Sequence, residues 1–490
     1  MIRLTRTAGL AAILTGVGLS AVAPTHAATP DNIDGRWNAS LTTQTGVVIP
    51  FRLDLSGSGD SLKGTLYDGF DPYETTTSAT FEGGQLTLNI DHYLTTITAT
   101  EKDGQLTGTV VAHNRSSSTQ YAFQATRYVK PAAGVPAPSI AGSWVIPLET
   151  PSSKGEKAFR FIVKQNGPEV AASILRVDGD TGAYSGTYQD GKWVLSHFDG
   201  SRPGVIIVTP ESDGTLQVLQ NPDRPEATAT STAATGASNT NPGTTSAGTT
   251  SIRTASADAT AVRTSGSGKA YDDSIADGRY APALVAYRSE VAQAKGLPEP
   301  ENYTTHTTVR DPNEKFTFNF PDVDGHLVSN DDPRFKGKVV LAIVTGTWCP
   351  NCHDEAQYLV KLDKKYHNKG LAIVALDFEE PEQQGSLARE RAFVKQYGVK
   401  YTYLIAGAPA EMWEKVPQAV NLNTWPATFF IGRDGKVRGV HSGFASPASG
   451  EFNHQLQKEF TTQIETLLAE PAAQEQTKTA AAAHGTTGPG

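Results

Sequence analysis

The chain has 490 residues, a formal net charge of −9 and only two cysteines. Its length implies about three domains of ~150 residues each, and its acidic balance argues against a nucleic-acid partner, which would require a basic surface. Two cysteines, three apart in sequence, exclude both a framework of structural disulfides and a four-thiolate metal site.

At the N-terminus, Arg3 and Arg6 precede a mainly apolar run from Ala8 to Ala23, and Thr25-His26-Ala27 offers small residues at cleavage positions. Residues 1–27 therefore read as a secretory signal peptide released after Ala27. An uncleaved membrane anchor is the alternative, although the run is short for a full span. Either way the protein is expected outside the cytoplasm, in a bacterial periplasm.

From Asn32 to Pro222 the sequence is rich in Thr, Gly, Val and aromatics, with period-two alternation. Phe51, Leu53 and Leu55 alternate with polar neighbours, as do Leu86, Leu88 and Ile90. Gly83-Gly84, Asp103-Gly104, Asp190-Gly191 and Asp213-Gly214 supply hairpin turns. The pattern predicts antiparallel β-structure, as barrels or sandwiches. It is also duplicated: Ile33-Asp34-Gly35-Arg36-Trp37 recurs as Ile140-Ala141-Gly142-Ser143-Trp144, each opening a strand. The expected units are 32–130 and 139–290. The first closes with Tyr121 to Tyr128; a comparable strand, Tyr280 to Arg288, appears only after a Thr/Ser/Ala/Gly-rich tract at 223–270. That tract is too poor in apolar surface to order itself, and is read as an insertion before the last strand of the second unit, with a plain linker after a finished domain as the alternative. Trp37 and Trp144 are expected in the cores. The glycine–tryptophan opening resembles small barrels of the lipocalin kind, yet no constellation of acids, bases or ligands stands out in these units.

Past Leu297-Pro298-Glu299-Pro300 the pattern turns to alternating strand and helix. Lys338 to Val344 reads as a strand buried on both faces, running directly into Thr347-Trp348-Cys349-Pro350-Asn351-Cys352. A helix follows, with Ala356, Leu359, Leu362 and Tyr366 on one face. Further elements are a strand at Leu371–Leu376, a helix at Ala388–Tyr397 and a strand at Tyr401–Ile405. Beyond these come a short helix at Glu411–Ala419, strands at Trp425–Ile431 and Lys436–His441, and a helix at Glu451–Ala469. The tail, 471–490, should be disordered.

A dithiol at a strand-to-helix junction has a mechanical logic. Unpaired N–H groups and the positive end of the helix dipole stabilise a thiolate, which would lower the pKa of Cys349 from about 8.5 towards neutrality. Cys349 is expected to be the exposed nucleophile and Cys352, one turn inside, the resolving thiol. Pro350 suits the first helical position. His353 is expected at a solvated helix position.

Trp348-Cys349-Pro350-Asn351-Cys352, with Trp425-Pro426-Ala427-Thr428 downstream, resembles the thioredoxin superfamily, and more narrowly its TlpA/ResA-like branch of the redoxin type, over about residues 305–470. The resemblance implies a C-terminal α/β thioredoxin-like domain, a redox-active Cys349–Cys352 disulfide and a cis Pro426. It also implies that Trp348, Pro350, Trp425 and Pro426 line the client site, and that Glu355 is an active-site acid. Departures matter too. A buried Asp that thioredoxin carries six residues before the first Cys is replaced by Ile343, which leaves Glu355 or water to move protons. Asn351 stands where disulfide isomerases have His, a lean towards a reductant.

The expected function is an extracytoplasmic thiol:disulfide oxidoreductase acting on client proteins with thiols or disulfides, and recharged by a membrane thiol reductase. No cofactor, metal or nucleic acid is implied. One alternative is a thiol peroxidase, against which Gly346 and Ala342 occupy the positions of the usual Thr and Pro. Another is an envelope binding protein in which the β units are the working part.

Overall fold

The computed structural model describes residues 32–113, 118–129, 136–180, 182–220 and 284–471. The expected signal peptide, the 223–270 tract and the tail beyond residue 471 lie outside the described residues.

The first unit is a nine-stranded antiparallel sheet. Its strands are β1 (Gly35–Thr42), β2 (Val48–Ser56), β3 (Lys63–Asp68), β4 (Asp71–Thr75), β5 (Ser78–Glu82), β6 (Gln85–Ile90), β7 (Thr95–Lys102), β8 (Gln105–His113) and β9 (Ser118–Arg127). The spatial order is β4-β3-β2-β1-β9-β8-β7-β6-β5, so the sheet curls without closing. Thr76 and Thr77 span its two edges, donating backbone N–H bonds to Gly64 and Asn89. The alternating residues Leu53, Leu55, Leu86, Leu88 and Ile90 all point into its core.

The second unit is a closed eight-stranded barrel. It comprises β10 (Gly142–Pro147), β11 (Ala158–Asn166), β12 (Glu169–Leu175), β13 (Tyr184–Gln189), β14 (Lys192–His197), β15 (Gly204–Pro210), β16 (Leu216–Gln220) and β17 (Leu284–Arg288). β17 pairs with both β10 and β16 and so completes the ring. Trp144, Phe161, Trp193, Ile206 and Val208 fill the interior.

The two units share one latch. Trp37 donates its indole N–H to Ile33 O at 3.0 Å, and Trp144 donates to Ile140 O at 2.9 Å. An arginine from the closing strand lies over each indole, Arg127 at 4.2 Å and Arg288 at 4.1 Å. Each guanidinium also donates to carbonyls before its opening strand, Arg127 to Asn32 and Arg288 to Ser139. Gly35 and Gly142 lie beneath these guanidinium groups; a Cβ would sit 3.2 and 2.9 Å from their nitrogens. The duplicated Gly-x-Trp is thus the seat of an arginine that ties first strand to last.

A short helix, α1 (Ser289–Ala294), leads to the third domain. There β21 (Val339–Thr345) is central in a five-stranded sheet of order β23-β22-β21-β25-β26, with β22 (Leu371–Phe378), β23 (Thr402–Gly407), β25 (Ala427–Ile431) and β26 (Val437–Ser442). β21, β22 and β23 run parallel, whereas β25 and β26 are antiparallel. All seven residues of β21 are buried, because α2 (Pro350–Tyr366), α4 (Ala388–Tyr397) and α6 (Glu451–Ala469) pack on one face. Phe316, Phe318, Phe335 and Met412 cover the other. The barrel joins the helix-side core through Leu175 and Ile162.

α3 (Pro381–Gln384) precedes α4. Two-stranded pairs join β18 (Thr308–Val309) to β24 (Ala419–Val420), and β19 (Asn319–Pro321) to β20 (Leu327–Ser329). The helix expected over Glu411–Ala419 is shorter, only α5 (Met412–Lys415) after a turn at Pro409–Glu411. Pro417 ends it: the residue before a proline is driven from the helical region, and Val416 sits at φ −124°, ψ 61°. The chain then pairs as β24.

Trp144→Ala should destabilise the barrel by about 3–5 kcal/mol, seen as a lower urea midpoint by far-UV circular dichroism, with Trp37→Ala doing the same to the first sheet.

Candidate active site

β21 delivers the chain to Gly346, where it turns into α2. Cys349 occupies the N-cap position with Pro350 at the first helical position, where a missing N–H costs nothing. Backbone bonds fold the turn tightly. Cys349 N–H donates to Gly346 O at 3.0 Å, and Cys352 N–H to Cys349 O at 3.0 Å. Both cysteines are free thiols. Cys349 Sγ lies 3.5 Å from Trp425 O, to which it donates. Cys352 is held far above the ordinary thiol range by burial, by its hydrogen bond to Cys349 and by the neighbouring sulphur's charge. A thiol so placed keeps its proton at neutral pH.

One expectation fails. Cys349 was expected to be exposed, yet it is 3% accessible, and Cys352 is 1% accessible. Trp348, Trp425 and the barrel enclose them. The two indoles meet edge to face at 5.1 Å, and Trp348 Nε1 donates to Phe378 O at 2.9 Å. Behind the turn, Thr347 Oγ1 donates to Glu379 and accepts from Arg389 Nε at 2.9 Å. Arg389 pairs in turn with Glu379, and with Glu380 at 3.3 Å.

The Trp425–Pro426 peptide is cis. It presents Trp425 O to the dithiol, and Pro426 O accepts from Gly443 N–H at 2.7 Å. Glu355 is buried under the same turn and accepts a hydrogen bond from Thr428 Oγ1 at 2.5 Å. Thr428 pairs across the sheet with Ile343, the position where thioredoxin's buried acid is missing. Burial raises the Glu355 carboxyl to about 8, with Thr428 opposing weakly. Glu355 is therefore a protonated acid at neutral pH, beneath the dithiol and not facing solvent.

The β units were expected to hold no polar constellation, and here the structure overturns the sequence reading. Their loops converge on the first turns of α2 and carry buried acids and histidines. Tyr73 Oη donates to Asp354 at 2.9 Å. Asp354 is pushed well above the carboxylate range by burial and by Asp180 and Asp68. Asp68 is raised to about 7 by burial, although His197 pulls it down. Burial alone would lower His197, but Asp199 at 3.6 Å and Asp68 at 3.9 Å outweigh it and hold it at about 9.

His353 is likewise not solvated. It is fully buried, stacked on Tyr93 at 4.3 Å. Its Nε2 lies 2.7 Å from Thr347 O, which can only accept, so Nε2 carries the proton and Nδ1 accepts from Tyr397 Oη at 2.9 Å. Burial and the nearby His92 keep the ring neutral, its pKa well below the usual value. The signal in the sequence was Asp178-Gly179-Asp180 and His197-Phe198-Asp199-Gly200, denser in acid and His than turns require.

Two groups of three ligating side chains come within 4.8 Å among the described residues: Asp322, Asp324 and His326 at an exposed turn, and the buried Asp377, Glu379 and Glu390. Asp322 already accepts the backbone N–H groups of Asp324 and His326. In the second group Arg389 supplies a cation to Glu379.

Residues 309–455 match the Redoxin family model. The C-terminal third of the chain is thioredoxin-like and carries the Redoxin match. Over 116 residues, 24% of this chain, it is 34% identical to the thiol-disulfide oxidoreductase ResA of Bacillus thuringiensis (strain Al Hakam). It is 33% identical over 110 residues, 22% of this chain, to the thioredoxin-like protein YneN of Bacillus subtilis (strain 168). The matched stretches span 60% of that ResA and 58% of YneN. Among solved structures, a thiol:disulfide interchange protein of the thioredoxin family from Chlorobium tepidum TLS aligns over 33% of this chain and all of its own, at 23% identity and TM-score 0.25. A DsbF homologue from Corynebacterium diphtheriae aligns over 34% of this chain and 97% of its own, at 18% identity and TM-score 0.26. The two β units lie outside the Redoxin match.

A pH test of Glu355 follows from its environment. Between its ordinary value of 4.5 and about 8 the folded Redoxin domain keeps this proton while the unfolded chain has lost it. Stability from this group therefore falls as pH rises through that window, by at most about 1.4 kcal/mol per pH unit. Glu355→Gln should flatten the dependence of the urea midpoint on pH across the window. An unchanged slope would place the proton elsewhere.

Proposed function

We propose that the protein is an extracytoplasmic thiol:disulfide oxidoreductase that reduces disulfides of client proteins through Cys349 and Cys352. The observation that carries this reading is the pair of cysteines one turn apart at the start of α2, with Trp425 O beside Cys349. The similarity to ResA, a thiol-disulfide oxidoreductase by name, supports it over the matched third.

The Cys349 thiolate attacks one sulphur of a client disulfide; that S–S bond breaks and the other client sulphur leaves as a thiolate. Cys352 then attacks Cys349 Sγ, expelling the second client thiolate and forming the Cys349–Cys352 disulfide. Two electrons pass to the client. The protons lost by Cys349 and Cys352 pass through water to the two departing client thiolates; Glu355, protonated at neutral pH, can give a proton to a leaving sulphur but not take one. Trp348, Pro350, Trp425 and Pro426 form the walls against which the client lies, and the carbonyl of Trp425 orients Cys349.

The apolar run and cleavage residues of positions 1–27 support export to a periplasm. Among the described residues no helix is long and apolar enough to cross a membrane. A compartment outside the cytoplasm is kept oxidising, so a reductant there needs its own electron supply, which we assign to a membrane thiol reductase. The uncharged Asn351 favours the reducing direction.

Cys349→Ser should abolish reduction of insulin disulfides. Cys352→Ser should instead accumulate mixed disulfides on Cys349, visible as dithiothreitol-sensitive adducts by mass spectrometry after export. A trap that stays empty under oxidising growth would count against a client-directed enzyme.

A further inference from the structure

The burial of Cys349 needs an explanation, because a nucleophile with 3% of its surface accessible cannot meet a protein disulfide. Besides Trp348 and Trp425, a barrel segment closes over the turn that carries it. The loop between β12 and β13 reaches over the dithiol turn, and Asp178 O accepts two hydrogen bonds there. One is from Asn351 Nδ2 at 2.7 Å, inside the Cys-x-x-Cys motif; the other is from Phe444 N–H at 3.3 Å, on the loop after β26. Gly179 forms a parallel bridge with Phe444.

Two glycines allow this approach. Gly179 has φ +124°, and a Cβ there would stand 2.4 Å from Phe444 O and 2.7 Å from the Asn351 side chain. Opposite it, Gly443 has φ +70°, and a Cβ would stand 2.3 Å from Val177 O. The loop is also anchored beyond its tip: Asp180 Oδ2 accepts from Ser446 N–H at 3.2 Å and from Ser449 Oγ. A second barrel loop adds Arg202, which donates to Trp348 O at 3.5 Å. Gly443, which meets the covering segment, is the residue whose N–H bonds Pro426 O. The cover thus lies on the surface continuous with the cis-proline loop.

We propose that the barrel segment Arg176–Asp180 is a specificity-determining cover that stands in the place of a client's extended backbone. It rests on the oxidoreductase reading and names the client class: a polypeptide segment able to offer a main-chain carbonyl to Phe444 N–H and Asn351 Nδ2. Such a segment replaces both hydrogen bonds of Asp178 O, which offsets part of the cost of releasing the loop from its anchor on Ser446 and Ser449. Glutathione disulfide has amide carbonyls but is too short to hold one as part of an extended strand along this surface, and reaches Cys349 only during spontaneous opening. The barrel, by this account, keeps the reductant from discharging on small oxidants.

The test is thiol accessibility in the reduced full-length protein. Cys349 should react with iodoacetamide slowly in the wild type, and at least tenfold faster in Gly179→Val, whose side chain has no room under Phe444 O. Asp180→Ala, which frees the anchor without adding bulk, should accelerate the reaction in the same direction; it decides the matter if circular dichroism shows Gly179→Val misfolded. Oxidation of the wild-type dithiol should favour a disulfide-containing peptide of about ten residues over glutathione disulfide, and both variants should lose much of that preference. Equal alkylation rates in the wild type and folded variants, whether fast or slow, would overturn the cover while leaving the oxidoreductase reading intact. Failure of every form to make a Cys349–Cys352 disulfide would sink that reading instead.

Discussion

The turn from β21 into α2 is gripped from three sides, and the rest of the site depends on that grip. From within, the backbone closes on itself through Gly346 O and Cys349 O. From the sheet, Trp425 O meets Cys349 Sγ and Glu355 is anchored on Thr428. From outside the Redoxin domain, Asp178 O binds the side chain between the two cysteines. A dithiol held this way has its sulphurs in fixed register with a carbonyl, an acid and a cover. Alone, a mobile Cys-x-x-Cys loop would have none of these.

The grip carries an electrostatic cost that the structure meets by neutralisation. Burying an unpaired charge is expensive, so buried acids shift towards their neutral forms. Asp354 and Glu355, both beside the motif, are pushed up by burial, and His353 is kept neutral by the same cause. His197, favoured as a cation, sits between Asp199 and Asp68, and Arg389 is paired with Glu379 and Glu380. Around a redox step that creates and consumes thiolate charge, the two acids and the histidine that follow the motif therefore carry no charge of their own.

Much of this was legible from residue pattern because the relevant signals are local. Strand alternation, Gly-x-Trp duplication and the apolar β21 run each need only a few neighbours to be decoded, and the long helix Glu451–Ala469 was read to its ends. The stop at Pro417 is equally local, set by the restriction a proline places on the residue before it. What escaped was long-range. Cys349 looked exposed because a helix N-terminus usually is; its cover comes from residues about 170 positions upstream. His353 looked solvated because its stacking partner, Tyr93, belongs to another unit. The arginine halves of the two latches, Arg127 and Arg288, were inside the strands recognised as equivalent, but only the fold shows them over the indoles.

The most direct measurement is a thiol count on the purified protein equilibrated across a graded glutathione redox series. The account requires Cys349 and Cys352 to be oxidised together as one two-electron couple, with a tenfold change in the equilibrium ratio for every ~30 mV. Sulphurs that titrate independently, or remain unpaired at the oxidising end of the series, would contradict it.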